Sequence, residues 1–310
     1  TKCEFAPGVF ASFFKLLPLV RKYKIDIIHC NTRVTQVTGC LLSKYSSRPY
    51  VSTCHGFFKA RRLSRRIFPC WGNKVIAISQ EVKEHLLNDF KVDEKNIAVI
   101  NHGIDINRFV KVNKEQGFEA RKSYGLPAEA GVIGIVARLS DVKGHIYLIR
   151  AMPDILKNHP SALLWIIGDG KMLKELTALV DKLKIKDKVV FRPEARDTAG
   201  ALAAMDIFVM PSLKEGLGLA LMEAMAAGLA VVGSSVGGIK TLVQDGESGL
   251  LVPAANSAEL AQKVSSLLAD PAMARRLGDN ARDSIAAKFA FESMITDTER
   301  LYSACLNQKD

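Results

Sequence analysis

The run IFVMPSLKEGLGLALMEAMAAGLAVV, residues 207–232, predicts a strand, a tight turn, a helix and a second strand in direct succession. The turn contains Gly216 and Gly218, and strong helix formers follow from about Leu219 to Ala227, where a glycine ends the helix. The first backbone N–H groups of such a helix have no intrahelical partner and point along a favourable dipole. The run therefore predicts an anion site that suits a phosphate group.

The same alternation of strand and helix continues on both sides of this run. Around it, the sequence predicts six short apolar strands, at Val132–Ala137, Ala162–Ile167, Val189–Phe191, Ile207–Met210, Ala230–Gly233 and Leu250–Val252. Further towards the N-terminus it predicts four more, at Lys24–Cys30, Tyr50–Cys54, Val75–Ile78 and Ile97–Ile100. Ser79 is expected to cap a helix at Gln80–Asn88. Alternation of this kind indicates parallel sheets with helices on both faces.

A polar stretch without strong periodicity interrupts the alternation once and divides the 310 residues into two parts. We expect a partial first domain at residues 1–109, a linker at 110–128 and a complete second domain at 129–288. We expect residues 289–310 to form a C-terminal helix that could cross back to the first domain. The fold class is therefore α/β, with two doubly wound Rossmann-like domains of which the first is incomplete.

The charge distribution and the cysteine content indicate the kind of cellular compartment in which the protein works. The whole net charge of +11 resides in residues 1–112, whereas residues 113–310 are neutral. Six cysteines occur without any Cys-x-x-Cys pair, so we expect reduced thiols in a cytoplasmic protein, four of them (Cys30, Cys40, Cys54 and Cys70) in the core. Apolar runs are too short to span a bilayer, and no secretory signal is visible.

Two carboxylates flank the predicted phosphate site. Glu215 lies in the turn and Glu223 lies about one turn into the helix. A carboxylate is a poor neighbour for a phosphate but a good acceptor for sugar hydroxyl groups. The arrangement favours a ligand with hydroxyls on both sides of a diphosphate, which describes a nucleotide sugar. The plainer interpretation is charge stabilisation of the helix start by Glu215 and an ordinary surface position for Glu223.

Several motifs together resemble the retaining glycosyltransferases of family four, which have the GT-B fold. The pattern PS-x-x-EG-x-G-x-x-x-x-EAMA-x-G spans the two carboxylates, and matching segments occur in order at Val136–Gly144, Ile166–Gly170, Val236–Gly238, Asp245–Val252, Ser52–Gly56 and Val75–Ser79. The resemblance covers essentially the whole chain. It is specific to the family, although not to any one sugar.

The resemblance implies a role for each matching position. His55 and Glu215 match residues that face the donor sugar, and we take them as the catalytic candidates. The donor-binding candidates match residues that hold the diphosphate and the ribose: Arg138, Lys143, Gly216, Leu217, Gly218, Leu219 and Glu223. Arginine offers a bidentate fork and lysine a point charge, which suits both to a diphosphate.

The implied reaction is transfer of a sugar from a nucleotide diphosphate sugar to a hydroxyl group, with retention at the anomeric carbon. No Asp-x-Asp sequence is present, so no metal and no other cofactor is expected, and the leaving diphosphate would be stabilised by Arg138, Lys143 and the helix start. We expect the donor and a glycan or lipid-linked acceptor as partners, within cell-envelope or lipopolysaccharide-type synthesis. No nucleic-acid partner is expected.

Some features depart from the family. Only one glycine, Gly8, precedes Asp26, so the glycine-rich turn that begins family members is missing, and we expect an N-terminally truncated chain. An inactive or non-catalytic sugar-nucleotide-binding fragment and a GT-B-fold epimerase therefore remain alternatives. A dinucleotide-binding oxidoreductase is disfavoured because Gly216-x-Gly218 is not followed by glycine at position 221. No site is assigned to the atypical loops Asn101–Gly103 and Gly238–Thr241.

A basic and aromatic segment, FFKARRLSRRIFPCW at residues 57–71, follows His55. Its positive charges, with no acidic residue among them, are Lys59, Arg61, Arg62, Arg65 and Arg66. The mixture predicts an amphipathic segment on an anionic membrane surface, which would make the protein peripheral on the inner face of the membrane. A solvated core helix and a site for a phosphorylated acceptor remain alternatives.

Overall fold

The computed structural model describes residues 7–58, 70–109, 114–195 and 197–307. The chain forms two compact units. The first comprises Thr1–Gly103 with Glu292–Asp310, and the second comprises Ile104–Phe291. Each unit is built on its own parallel sheet, which confirms the α/β class predicted from the alternation of strands and helices.

The first unit contains a sheet of four parallel strands in the order β1-β2-β3-β4. The strands are β1 (Ile28–Cys30), β2 (Tyr50–Cys54), β3 (Lys74–Ala77) and β4 (Ile97–Val99), and the helices among them are α1 (Pro7–Lys22), α2 (Arg33–Ser46) and α3 (Gln80–Phe90). The side chain of Ser79 accepts a hydrogen bond from the N–H of Val82, as its predicted capping role requires.

Strand β1 is shorter than the predicted strand Lys24–Cys30 because the turn that ends α1 extends beyond Lys22 into the first residues of that prediction. Lys24 has a φ of +50°, in the left-handed region. The N–H of Ile25 donates to the carbonyl of Val20 at 3.0 Å, which closes the helix. The chain can become extended only after this cap.

The second unit contains a sheet of six parallel strands in the order β10-β9-β8-β5-β6-β7. The strands are β5 (Val132–Val136), β6 (Leu163–Ile167), β7 (Val189–Arg192), β8 (Ile207–Met210), β9 (Ala230–Ser234) and β10 (Leu250–Val252). The helices are α4 (Lys114–Tyr124), α5 (His145–Asn158), α6 (Leu173–Lys182), α7 (Thr198–Ala203), α8 (Leu219–Ala226), α9 (Gly237–Leu242), α10 (Ser257–Ala269) and α11 (Pro271–Lys288).

The strand order reverses once in this second sheet. Counted from β5, the chain adds β6 and β7 on one side and then returns to add β8, β9 and β10 on the other. This is the doubly wound order, and its ligand crevice forms at the carboxyl ends of the two strands where the direction changes. Those strands are β5 and β8, which are hydrogen-bonded neighbours.

The last helix, α12 (Phe291–Asn307), lies almost wholly in the first unit. Its Cys305 is buried in a cluster with Val51 and Ile76 of the first sheet. The hydroxyl of Tyr302 lies 2.5 Å from Nδ1 of His29, whose Nε2 lies 2.7 Å from the hydroxyl of Thr53. The C-terminal segment therefore completes one face of the first sheet.

The second unit begins earlier than the predicted boundary at residue 129. The N–H of Ile104 donates to the carbonyl of Phe289 at 2.9 Å, and Arg282 of α11 donates to the carbonyls of Phe109 and Ala226. The described part of the predicted linker at 110–128 is largely helix α4, which packs on α7. Helix α4 is therefore part of the second unit because of its contacts there, although its polar composition is typical of a linker.

Arg121 holds α4 to the second sheet. Its guanidinium lies 2.6 Å from the carboxylate of Asp206 and donates to the carbonyls of Ala128 and Ala130 at 2.8 and 3.2 Å. The side chain of Arg121 is only 15% exposed, and Asp206 in turn accepts from the N–H of Val132. One cation therefore satisfies several groups at the amino end of the sheet.

No helix in the described ranges is long and apolar enough to cross a membrane.

Arg121→Ala is expected to lower the free energy of unfolding of the second unit by about 2 kcal/mol, because it leaves part-buried acceptors without a donor. Urea unfolding followed by the fluorescence of Trp165, with Trp71 replaced by Phe, reports on this unit. The control is Lys157→Ala, which removes an exposed pair with Asp154 and is expected to change stability by less than about 0.5 kcal/mol. Equal effects of the two substitutions would mean that α4 is not anchored through Arg121.

Candidate functional site

The loops that follow β5 and β8 are in direct contact at the point where the strand order reverses. The N–H of Leu213 donates to the carbonyl of Val142 at 2.8 Å. Gly144 has a φ of +71°, and a Cβ there would lie 1.8 Å from the carbonyl oxygen of Pro211. Only glycine allows this approach. The two loops therefore form one continuous surface at the carboxyl edge of the sheet.

Lys143 and Glu215 meet on this surface. The Nζ of Lys143 lies 2.5 Å from Oε2 of Glu215, and their side chains are 22% and 12% exposed. The hydroxyl of Ser212 lies 3.4 Å from the same carboxylate oxygen. A donor-binding candidate and a catalytic candidate, 72 residues apart in sequence, are thus brought into one ion pair.

The start of helix α8 is open to a ligand. Gly218 is its N-cap residue with a φ of +98°, and within the described chain no side chain caps the helix. Its first backbone N–H groups can therefore donate to an anion. The side chain of Leu217 is buried, so only the backbone of that candidate can face a ligand, whereas Leu219 is 48% exposed. Gly216 is buried beside them, and the carbonyl of Glu215 accepts from the N–H of Gly238.

Glu223 occupies the second turn of α8 and is half-buried. Burial raises the pKa of its carboxyl group above the ordinary value, and Arg108 opposes this shift. Arg108 lies in a short 3-10 turn at Ile106–Arg108. The sequence gives little reason to select Arg108, because more than one hundred residues separate it from Glu223 and only the fold makes them neighbours.

Arg138 follows β5 and its side chain is exposed. It makes none of the ion pairs found among the described residues, in contrast to Lys143. A freely accessible guanidinium and an ion-paired ammonium therefore lie on the same loop, five residues apart.

His145 begins helix α5 directly after this loop and is only 2% exposed. Neither of its ring nitrogens forms a hydrogen bond with the described chain. Burial and, to a smaller extent, the charge of Lys143 together lower the pKa of His145 to about 4, although the backbone of Ala137 opposes the shift. The imidazole is neutral at physiological pH and adds no charge beneath the loop.

His55 lies in the first unit, where it follows β2 at the carboxyl edge of that sheet. Its Nε2 lies 3.2 Å from Oδ1 of Asn31, so Nε2 carries the proton and Nδ1 can accept. Desolvation by the surrounding protein lowers the pKa of His55, and His102, whose ring centroid is 6.2 Å away, lowers it further. Asn31 and His102 were not among the predicted site residues.

The predicted membrane or acceptor residues Lys59, Arg61, Arg62, Arg65 and Arg66 lie outside the described residues. Within the described ranges, no group of three or more His, Cys, Asp or Glu side chains could hold a metal ion.

The buried imidazole of His145 is expected to make the second unit less stable at mildly acidic pH. The unfolded chain gains a proton at this residue near pH 6.5, whereas the folded chain does so only near pH 4. Stability is therefore lost as the pH falls through this window. Between pH 7 and pH 5 the contribution of His145 is about 2 kcal/mol.

Urea unfolding of the parent and of His145→Gln at both pH values isolates this contribution, since all other titrating groups are common to both proteins. The variant is expected to lose less stability than the parent on going from pH 7 to pH 5. The same loss in both proteins would show that His145 is not held neutral.

Comparison with known proteins identifies the family. Residues 117–284 match the family described as glycosyl transferases group 1, and residues 3–108 match glycosyltransferase family 4. An uncharacterised glycosyltransferase of Methanocaldococcus jannaschii is 31% identical over 307 residues, which cover 94% of this chain and 78% of that protein.

Two further proteins are similar along most of the chain. The Escherichia coli UDP-Gal:alpha-D-GlcNAc-diphosphoundecaprenol alpha-1,3-galactosyltransferase is 30% identical over 256 residues, 78% of this chain and 66% of its own length. The crystal structure of Anabaena HepE in complex with UDP and glucose superposes with a TM-score of 0.87 at 25% identity, covering 98% of this chain and 84% of HepE. The chain belongs to the family 4 glycosyltransferases and has the GT-B fold.

Proposed function

We propose that the protein transfers a glycosyl group from a nucleotide diphosphate sugar to an acceptor hydroxyl group, with retention of configuration at the anomeric carbon. The main support for the proposal is that Lys143, Glu215 and the uncapped start of α8 lie together at the strand reversal. The structure of HepE with UDP and glucose and the UDP-Gal donor named for the Escherichia coli relative support a nucleotide-sugar donor.

The donor diphosphate is assigned to the surface formed by the two loops. Arg138 is exposed and can offer its guanidinium as a fork, whereas Lys143 supplies a point charge. The N–H groups at the start of α8 add donors that are already oriented. Lys143 is held by Glu215 before any ligand arrives, so its ammonium group is kept in place for the diphosphate.

The hydroxyl-bearing parts of the donor are assigned to the two carboxylates. Glu223, half-buried on α8, would accept hydrogen bonds from the ribose hydroxyls. Glu215, adjacent to Gly216, would face the transferred sugar and stabilise positive charge that develops at the anomeric carbon. The role of His55 near the donor sugar stays a prediction from the family resemblance.

The configuration at the anomeric carbon is retained if the acceptor hydroxyl group attacks on the same face of the sugar from which the diphosphate leaves. The bond from the anomeric carbon to the diphosphate breaks and a bond to the acceptor oxygen forms, while the leaving phosphate oxygen takes the acceptor proton. Arg138, Lys143 and the start of α8 would stabilise the departing diphosphate, so the proposal needs no metal ion.

The acceptor is proposed to be a glycan or a lipid-linked sugar of the cell envelope. The name of the Escherichia coli relative, which includes a diphosphoundecaprenol acceptor, supports this class. The basic and aromatic segment at residues 57–71 would suit the anionic part of such an acceptor by its charge.

Arg138→Ala and Lys143→Ala are each expected to weaken the binding of UDP, or of GDP or ADP if one of these is preferred, by about tenfold or more. Each charge-assisted hydrogen bond contributes about 1.5–3 kcal/mol, and 1.4 kcal/mol corresponds to a factor of ten. Calorimetric titration measures the affinities, in magnesium and in EDTA. Affinity equal in the two buffers is expected if no metal takes part.

The matched control for these variants is Lys157→Ala, which removes an exposed lysine of the same unit far along helix α5. It is expected to leave the nucleotide affinity unchanged. Unaltered affinity in both the Arg138 and the Lys143 variant would contradict the assignment of the diphosphate to this loop.

Glu223→Gln is expected to reduce the affinity for UDP about tenfold but to leave the affinity for 2′,3′-dideoxy-UDP nearly unchanged, because the lost contact is to the ribose hydroxyls. Glu215→Gln is expected to lower kcat at least tenfold with a smaller change in KM. Binding is measured by calorimetry, and turnover by release of the nucleoside diphosphate.

Glu175→Gln, an exposed carboxylate at the start of α6, serves as the control and is expected to change neither quantity. If Glu223→Gln weakened both nucleotides equally, the ribose assignment would be wrong. Full turnover in Glu215→Gln would remove that residue from the reaction.

A further inference from the structure

Two thiols meet at the amino edge of the first sheet, opposite the edge that carries His55. Cys40 lies on α2, and Cys70 lies just before Trp71. Both thiols are free and half-buried, although the sequence predicts core positions for them, and they lie close enough for each to shift the pKa of the other. They line a cavity of about 550 Å³, which also borders Tyr50 and Asn73.

The backbone around the pair is fixed by Tyr50, which is 1% exposed. Its hydroxyl donates to the carbonyl of Cys70 at 2.9 Å, and its N–H donates to the side chain of Asn73 at 2.8 Å. The Tyr50 ring also packs against Gly39 next to Cys40, so closely that a Cβ on Gly39 would lie 3.0 Å from it. Packing against Tyr50 therefore fixes the backbone at Cys70 and at Gly39, next to Cys40.

Charges on α2 favour ionisation of one of the two thiols. Arg33, Cys40 and Lys44 are spaced by seven and four residues, which places them on one face of the helix. The neighbouring Cys70 thiol as a hydrogen-bond donor, together with the charges of Arg33 and Lys44, lowers the pKa of Cys40 to about 6 against the effect of burial. The same hydrogen bond raises the pKa of Cys70.

We propose that Cys40 and Cys70 form an oxidation site in which a peroxide converts the pair to a disulfide, with Cys40 as the attacking sulfur and Cys70 as the resolving thiol. The site lies in the first unit, among residues to which neither the donor nor the acceptor is assigned. It is independent of the proposed transferase reaction.

The chemistry balances with hydrogen peroxide as the two-electron oxidant. The Cys40 thiolate attacks one peroxide oxygen, the O–O bond breaks, and a proton from solvent converts the departing hydroxide to water. The resulting sulfenic acid is attacked by the sulfur of Cys70. An S–S bond forms, the S–O bond breaks, and a second water leaves with the Cys70 proton.

The remaining described cysteines lack this environment. Cys30, Cys54 and Cys305 are buried, and burial raises the pKa of Cys30 and of Cys305. Reactivity with peroxide depends on thiolate character and access together. Oxidation is therefore expected to be selective for the Cys40–Cys70 pair.

The first experiment treats the full chain with hydrogen peroxide and follows its intact mass. The expected result is the loss of two hydrogens, about 2 Da, reversed by dithiothreitol, with peptide mapping that joins Cys40 to Cys70. Cys305→Ser, the matched control, is expected to keep this loss, and Cys40→Ser and Cys70→Ser to abolish it. No loss in the parent, or a disulfide between Cys40 and Cys30, would overturn the proposal.

The second experiment begins with the parent chain and asks which of the two sulfur atoms is the thiolate. Alkylation of Cys40 by limiting iodoacetamide is expected to rise less than about twofold between pH 7 and pH 8, whereas an ordinary thiol rises about eightfold. An eightfold rise at Cys40 would overturn its assignment as the attacking sulfur. Cys70→Ala, which removes the hydrogen-bond donor, is expected to restore a steeper dependence on pH.

Discussion

The reversal of strand order between β5 and β8 is the constraint on which the candidate site depends. Helices that follow these two neighbouring strands must leave the sheet in different directions, and a crevice opens between them at the carboxyl edge. Lys143 reaches this crevice from one strand end and Glu215 from the other. The ion pair between Lys143 and Glu215 exists only because the fold brings the two strand ends together.

Close packing then fixes the two loops relative to each other. Gly144 allows the β5 loop to lie against the carbonyl of Pro211, and the Lys143–Glu215 pair bridges the same two loops. His145 fills the space beneath without adding a charge. A diphosphate on this surface would therefore meet groups that are oriented in advance, which is how a rigid site stabilises a charged leaving group at low reorganisation cost.

Much of this arrangement could be predicted from the sequence. The alternation of strands and helices predicts the parallel sheets, and the glycine turn with Glu215 and Glu223 predicts the loop and the helix start at β8. These features are local in sequence, so periodicity and turn chemistry are sufficient to find them. The family resemblance added Arg138 and Lys143 of the β5 loop. Lys143 forms an ion pair with Glu215 of the β8 loop, and the roles of both residues in donor binding stay predictions.

Other features depend on contacts between distant segments and escaped prediction. The polar sequence of helix α4 is typical of a linker. In the structure, its Arg121 donates to acceptor groups at the amino edge of the second sheet. The proximity of Arg108 to Glu223 and the pairing of Cys40 with Cys70 arise in the same way, from the fold rather than from any local pattern. Composition and periodicity carry no information on such pairs.

The most direct test of the central claim is amide hydrogen exchange of the full chain with and without a nucleoside diphosphate. With UDP, or with GDP or ADP if one of these binds instead, we predict slower exchange in residues 138–145 and 216–223, at the two loops of the strand reversal. Residues at the amino edge of the same sheet are predicted to show no change. Protection confined to other segments would contradict the assignment of the diphosphate to these loops. An absence of protection by all three nucleotides would contradict it as well.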